Sequence, residues 1–493
     1  MNNNNPGDLM NALVAKLYAT ITGNDGSIKT PRNKFVSWFL PGIPFGPEDF
    51  TFCSKGFIGN TAEETLNLYH QGFVLSKLFD FVPDVGNQFI DNSMQQTIFT
   101  SSQDSISSIY KDVLKYSRVV DLPLSETELK KLQDFRNKLT TTKEVTDIMT
   151  DEKKTVTEPG PLTKAYTSKM SEYLDAADEY MNLIIDAQSA KGDDPEAIRR
   201  VAAFSNKSKF LRKKMEAAEM AWISEGYKNE YEQINAYINQ VTQKSMVLYK
   251  QDLQNKFNSA LLTSAADGGS DFYYTTLLPG NFASNEGWSE FSFYEGDFET
   301  HFNKDTNSWG AKAGYLGIFS AGASGSKTKE NTSQKSSNFK ASFKFTQVPI
   351  CRPFFEPGFF AMRGWTLDKL WDLNFDKKPV SDGEEKPSGR LVAYPITALF
   401  VKDVTFTFDE AQEFSNYSKT EFTAGGSVSW GLFSGGGKYS KGKETKDVSS
   451  HTEGSELKIE GIQLIGFINS IIPQSPNPDP SIKPEQFVGG EQE

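Results

Sequence analysis

The residues best equipped for chemistry in this chain are few and scattered. Among 493 residues there are three histidines, His70, His301 and His451, and two cysteines, Cys53 and Cys351. No histidine sits in an HExxH pattern, and no GxSxG nucleophile elbow is present. His70 falls on an amphipathic pattern, His301 among charged residues and His451 in a polar stretch, so all three read as surface histidines. A cysteine nucleophile needs a histidine brought to it by the fold, which spacing alone does not supply. Two cysteines exclude a disulfide framework and leave either a single bridge or two buried thiols. Ser434-Gly-Gly-Gly-Lys438 invites a phosphate-loop reading. It fails because Leu432 stands where the first glycine is required, and Tyr439 where a serine or threonine must meet magnesium. Asp175, Asp178, Glu179 and Asp186 crowd one helical pattern, with Asp193 and Asp194 just past its end; a solvated helix face accounts for them. Calcium loops and CxxC pairs are absent. The expectation is no catalytic residue, no cofactor and no metal site.

Composition narrows the class further. Hydrophobic residues make up 37% and charged residues 24%, as in a folded chain with a large core. With 38 phenylalanines, that core is built from aromatic rings more than from leucine. A formal net charge of −12 argues against nucleic acid, whose phosphates need a positive footprint. The amino terminus, MNNNNPGDLM, lacks the basic and apolar regions of a signal peptide. No run approaches the ~18–20 apolar residues of a transmembrane helix. These features lead us to expect synthesis in the cytoplasm, with any export by a non-classical route.

The elements that must position these residues follow from periodicity. Leu9, Leu13, Leu17 and Ile21 stripe a helix over 8–20. Pro41, Pro44 and Pro47 forbid a helix over 35–60 and predict an irregular aromatic segment. Thr61-Ala-Glu-Glu64 and Ser125-Glu-Thr-Glu128 are capping boxes that open helices to about 81 and 139, with another over 104–116. The polar stretch 140–160 reads as a mobile loop or linker. Tyr166, Met170, Tyr173, Ala177, Tyr180, Ile184 and Ala187 recur at spacings of four and three, a long helix with a coiled-coil-like seam. Asp194-Pro195 starts the next helix, whose inner stripe is Leu211, Met215, Ala218 and Trp222. A third follows on Tyr231, Ile234, Ile238 and Val241. Short connections predict antiparallel packing. After 266 the period changes to two: Ala341, Phe343 and Phe345 alternate with lysine and serine, and Val404, Phe406 and Phe408 with threonine and aspartate. The apolar run 391–404 reads as a central strand or a pair broken at Pro395, 363–373 as a short helix, and the proline-rich 473–493 as an extended, exposed tail.

CRPFFEPGFF, VSDG, YPITALFVKDVTF and IIPQSPNPDP, with FVSWFLPGIPFGPEDF near the amino terminus, resemble segments of a family of uncharacterised bacterial proteins. The resemblance reaches both ends of the chain. It implies one coherent architecture and no particular activity.

Two similar stretches, 308–346 and 423–467, are the functional suspects. Both run from a glycine-rich apolar strand through a Lys/Ser/Thr/Glu segment to a returning strand, and share a W…G…(I/L)FS…S-K core. They read as two long pseudo-repeated β-hairpins. Their pattern is similar to the prestem hairpins of β-pore-forming toxins, and their lysines would attract anionic head groups at ~1 kcal/mol each. Trp309, Phe319, Lys327, Lys329, Trp430, Phe433, Lys441 and Lys443 are the candidate contacts with a membrane or a partner. The resulting expectation is an α+β chain. A mixed helical domain covers 1–150, a long-helix bundle or hairpin 161–265, an antiparallel β-sandwich 266–472 and a tail 473–493. It is expected to be a non-enzymatic assembly or recognition protein that binds a protein partner or itself. The alternatives are a protein that inserts the paired hairpins into an anionic membrane and, last, an enzyme of unknown chemistry.

Overall fold

The computed structural model describes residues 6–22, 33–85, 96–99, 101–102, 104–121, 125–146, 153–188, 195–285, 287–294, 297, 320–321, 340–384, 387–407, 428–430, 432–434, 437–441, 444–448, 450–453 and 456–489. The chain forms two compact units, Met1–Val119 with Lys250–Glu493, and Val120–Tyr249 inserted between them in sequence. It is a mixed α+β protein with mainly antiparallel sheets.

The chain opens with α1 (Pro6–Thr22), β1 (Lys34–Phe45), α2 (Thr51–Lys55), α3 (Ala62–Phe79), β2 (Gln96–Ile98), α4 (Ile106–Tyr116) and β3 (Ser117–Val120). There follow α5 (Glu126–Leu139), β4 (Thr140–Thr146), β5 (Lys153–Pro159), α6 (Pro161–Gln188), α7 (Pro195–Ser224) and α8 (Lys228–Lys244). Then come α9 (Met246–Ser259), β6 (Leu261–Ser264), β7 (Ser270–Tyr273), β8 (Thr276–Leu277), β9 (Ser289–Phe293), β10 (Ser320–Ala321) and β11 (Lys340–Cys351). The chain closes with β12 (Trp365–Leu367), α10 (Lys369–Asn374), β13 (Ala393–Thr407), β14 (Val428–Trp430), β15 (Phe433–Ser434), β16 (Gly437–Lys441), β17 (Glu444–Val448), β18 (Ser450–Glu453), β19 (Glu456–Ile471) and β20 (Phe487–Val488).

The first unit is built on an eight-stranded sheet ordered β2-β1-β19-β13-β11-β8, with β18 on β19 and β9 on β11. β13 lies between β19 and β11, and its alternate residues enter two different cores. Leu399 and Val401 join Leu13, Leu17, Tyr18 and Ile21 of α1 on one face. Ala398 and Phe400 join Phe50, Phe52, Leu75 and Phe79 on the other. A strand buried on both faces needs apolar residues at every position, which explains the continuous run seen in the sequence. Among the described residues, this covered sheet takes the place of the expected β-sandwich, with α1 on one side and α3 with the aromatic 39–57 segment on the other.

The amino-terminal part is not all helical. The proline-bearing segment is strand β1, paired to β19 as Trp38↔Gly466 and then Ile43↔Leu464. Pro41 falls inside that shift in register, where no ladder bond is lost, and β2 pairs only Val36–Trp38, so Pro44 lies on an edge that tolerates proline. Gly42 fills the shift because a Cβ there would meet Leu432 O at 2.7 Å.

One further expectation is corrected and another is refined. The 140–160 stretch is a hairpin: β4 and β5 pair in register from Thr140↔Pro159 to Thr146↔Lys153. Its threonines and valines favour extended backbone without the apolar alternation that marks a buried strand. The proline-rich tail is exposed at most of its described positions but is anchored at two. Ser475 is fully buried, its N–H bonded to Ser381 O at 2.8 Å and its hydroxyl to Phe360 O at 2.6 Å. Phe487 is also buried, and its carbonyl accepts from Arg118.

In the second unit, Ser125 and Glu128 form the complete capping box of α5, with Ser125 N bonded to Glu128 Oε2 at 3.1 Å. In the first, Thr61 caps α3, but Glu64 reaches one residue further back, to Asn60 N at 2.7 Å. α6 and α7 run antiparallel: Tyr173 stacks on Trp222, and Glu179 accepts from Lys214 at 2.6 Å. Tyr166 carries the seam on to α8 by stacking on Tyr231 at 3.9 Å.

Candidate functional site

Among the described residues, the paired glycine-rich stretches come together by pairing with each other. Ser320 pairs with Ser429 and Ala321 with Val428, so β10 and β14 are antiparallel neighbours. The returning strands β11 and β19 are kept apart by β13. The polar part of the second stretch folds into short hairpins: Trp430↔Phe433, Lys441↔Glu444 and Glu453↔Glu456 close β14–β15, β16–β17 and β18–β19. Alternating Lys/Thr/Ser residues read as a solvated tip, yet they also suit paired extended strands.

Of the candidate contacts, Trp309, Phe319, Lys327, Lys329 and Lys443 lie outside the described residues. Trp430 and Lys441 are placed by their backbones, on β14 and at the end of β16. Phe433 is fully buried, its ring 5.4 Å from Phe343 and 5.2 Å from Phe406. The next residue is clamped: Ser434 N donates to Gln463 Oε1 at 2.8 Å, and Gln463 Nε2 donates to Ser434 O at 2.9 Å. The buried amide supplies both hydrogen bonds that a neighbouring strand would give. A lipid contact at Phe433 would require it to leave this core.

Several polar groups that sequence reasoning passed over, or read as surface, are held in structural pairs. His70 Nδ1 lies 2.8 Å from Asp267 Oδ1, and Ser264 Oγ donates to Asp267 Oδ2 at 2.6 Å. The three residue types match a catalytic triad, but the serine contacts the carboxylate and not the imidazole, so this ring does not activate that hydroxyl. The pair instead fastens α3 to the turn after β6. His451 lies on β18, 3.9 Å from the Glu460 carboxylate.

Arg352 is buried and donates to Pro395 O at 2.7 Å and Phe79 O at 3.0 Å. Burial lowers its pKa to about 10, opposed by the nearby Asp80 carboxylate, so it remains a cation at neutral pH. Arg390 donates to Asp112 at 2.8 Å and lies 3.7 Å from the centre of the Phe375 ring. Lys250 is buried against Ser117 O, and burial pulls its pKa down. Cys53 and Cys351 are free thiols, and burial pushes Cys53 up, away from the thiolate a nucleophile needs.

Against these buried groups stands the outer side of α7. Leu211 and Trp222 turn inward, whereas Phe210 is 70% exposed and Met220 71%. Arg199, Lys207, Lys209 and Lys213 are exposed and make no ion pair among the described residues. Lys214 and Arg212 are occupied by Glu179 and Glu216. The segment NKSKFLRKK carried the signal: its one aromatic falls off the Leu211–Trp222 stripe and lies among five cations. Among the described residues, no helix is long and apolar enough to cross a membrane, and no cluster of three or more metal-ligating side chains occurs. No family model, curated protein or solved structure matches the chain.

Proposed function

We propose that the protein is a non-enzymatic recognition or assembly component, and that Val120–Tyr249 is its recognition unit, built on the α6–α7 pair. The observation that carries this reading is the outer side of α7. Singly exposed apolar side chains are common on folded surfaces, and here their meaning comes from their setting beside a row of unpaired cations on one helix. Phe210 and Met220 are such residues, while Tyr166, Tyr173 and Trp222 already stabilise the inner seam. Their exposure therefore serves something other than folding of the unit.

The hairpin-insertion alternative asks Phe433 to exchange a complete aromatic environment for lipid, which weighs against it. The test is a photo-crosslinking side chain placed at 210 or 220 of the full chain, in cells that make it. Specific adducts at these positions, absent from an exposed polar control position such as 369, are the expected result. Equal or absent labelling at all three overturns the assignment of the unit.

A further inference from the structure

We infer that the outer side of α7 docks on an anionic lipid surface, with Phe210 seated among the head groups. This rests on the reading of α7 as the recognition face and adds the chemistry of what it recognises. At about 100° per residue, Arg199, Lys207, Lys209 and Lys213 all fall within about 100° of Phe210 around the helix axis; Arg199, Lys209 and Lys213 lie at least about 140° from the inward-facing Trp222, and Lys207 about 60° from it. They span about 21 Å of helix, at 1.5 Å per residue. All four are exposed, and none has an acidic partner among the described residues. In a chain of net charge −12, such a concentration of unpaired cations complements an anionic surface. The remaining negative charge is screened beyond about 8 Å at physiological salt, so it orients the approach without preventing it.

The neighbours of Phe210 favour a bilayer over a protein partner. A stable protein interface buries about 800 Å² per partner around an apolar centre from which lysine is depleted. Here the exposed residues within one turn of Phe210 are Asn206, Lys207, Lys209, Arg212, Lys213 and Lys214. Met220, the next exposed apolar group on this side, lies about 15 Å along the axis at the same rise per residue. A bilayer interface has no such requirement. It accepts a single aromatic ring at head-group depth while lysines meet the lipid charges.

The test is co-sedimentation of the full chain with vesicles of phosphatidylcholine alone or mixed with phosphatidylserine. Binding is expected only to the mixed vesicles and should fall as salt rises. Each cation contributes about fivefold, so R199Q/K209Q/K213Q should weaken binding about a hundredfold. Phe210→Ala should weaken it several-fold. The control K369Q/K377Q/K378Q, on exposed lysines of the other unit, should bind like wild type. Circular dichroism of each variant confirms that the helices are intact. Equal binding to neutral vesicles, or a triple variant that binds like wild type, overturns the inference. Photo-adducts from position 210 to protein, with no vesicle binding, reject the lipid and leave the recognition reading standing. Absence of both rejects both.

Discussion

β13 and α7 each carry phenylalanine and lysine on a long regular element, and they use them in opposite ways. Phe400 on β13 is fully buried, its ring 4.9 Å from Phe282 and 5.4 Å from Phe50. Lys402, two residues on, lies over the Trp288 ring at 4.4 Å. On α7, Phe210 has no comparable enclosure and its neighbouring lysines face solvent. Burial of an aromatic ring stabilises by a few kcal/mol, so a chain that leaves one exposed forgoes that contribution. The core of the first unit shows where the aromatic residues hold the fold. The exposed side of α7 shows where they are free to meet something else.

The sharpest way to break this contrast is to remove a ring from each region. Phe400→Ala should destabilise by about 3–5 kcal/mol, because the lost burial is joined by the cost of a cavity the sheet cannot close. Urea unfolding of the first unit reads this directly. A loss below about 1 kcal/mol would mean that the aromatic core is loosely packed and that burial does not separate the two regions.

Arg352 gives a smaller effect in the same core. Arg352→Met keeps most of the volume but leaves Phe79 O and Pro395 O without their donor. Orphaned carbonyls cost about 1–3 kcal/mol each, partly offset by relief of the buried charge, so about 2–4 kcal/mol is expected. A variant as stable as wild type would show that the cation is dispensable to the fold, and would reopen the question of why it is buried there.

A third test compares the units through their helix caps. Hydrogen bonds from Ser125, reinforced by Lys244, hold the Glu128 carboxyl below its usual range. Glu64 is held down in the same way by Asn60 N–H and Lys55. The unfolded chain therefore takes up these protons first. The stabilisation is present above the ordinary glutamate range and is lost as pH falls through the folded values. Thermal melts at decreasing pH should show this acid-side loss, and Glu128→Gln should flatten it for the second unit while leaving the part due to Glu64. An unchanged slope in the variant would place the acid sensitivity elsewhere.

What the sequence made legible depends on whether a residue reports its own neighbourhood. Ser125 and Glu128 are three residues apart and satisfy each other, so their cap is readable. β13 and β11 are readable because their burial is written at every position or at every second one. β1 is obscured because its prolines are tolerated only through a register shift set by β19, more than 400 residues away in sequence. The tail is obscured because its bonds go to Ser381 and Phe360. The hairpin candidates were chosen for alternation, which does not say whether a phenylalanine faces lipid or a core; Phe433 faces the core. Phe210 is obscured for the converse reason: the inward stripe of α7 dominates the helical pattern, and this residue falls outside it.

The smallest expected effect on stability is the one that most directly separates the regions. Phe210→Ala removes a ring with few neighbours from a helix position where alanine is the better helix former, so stability should change by no more than about 0.5 kcal/mol in either direction. The same change should lower vesicle binding. Paired with Phe400→Ala, it forms a crossed result: one substitution damages folding, and the other damages binding while folding is preserved. If Phe210→Ala instead cost as much stability as Phe400→Ala, the ring would have to be enclosed by other parts of the folded chain. The outer side of α7 would then be a piece of core, and the lysines around it would need an internal explanation.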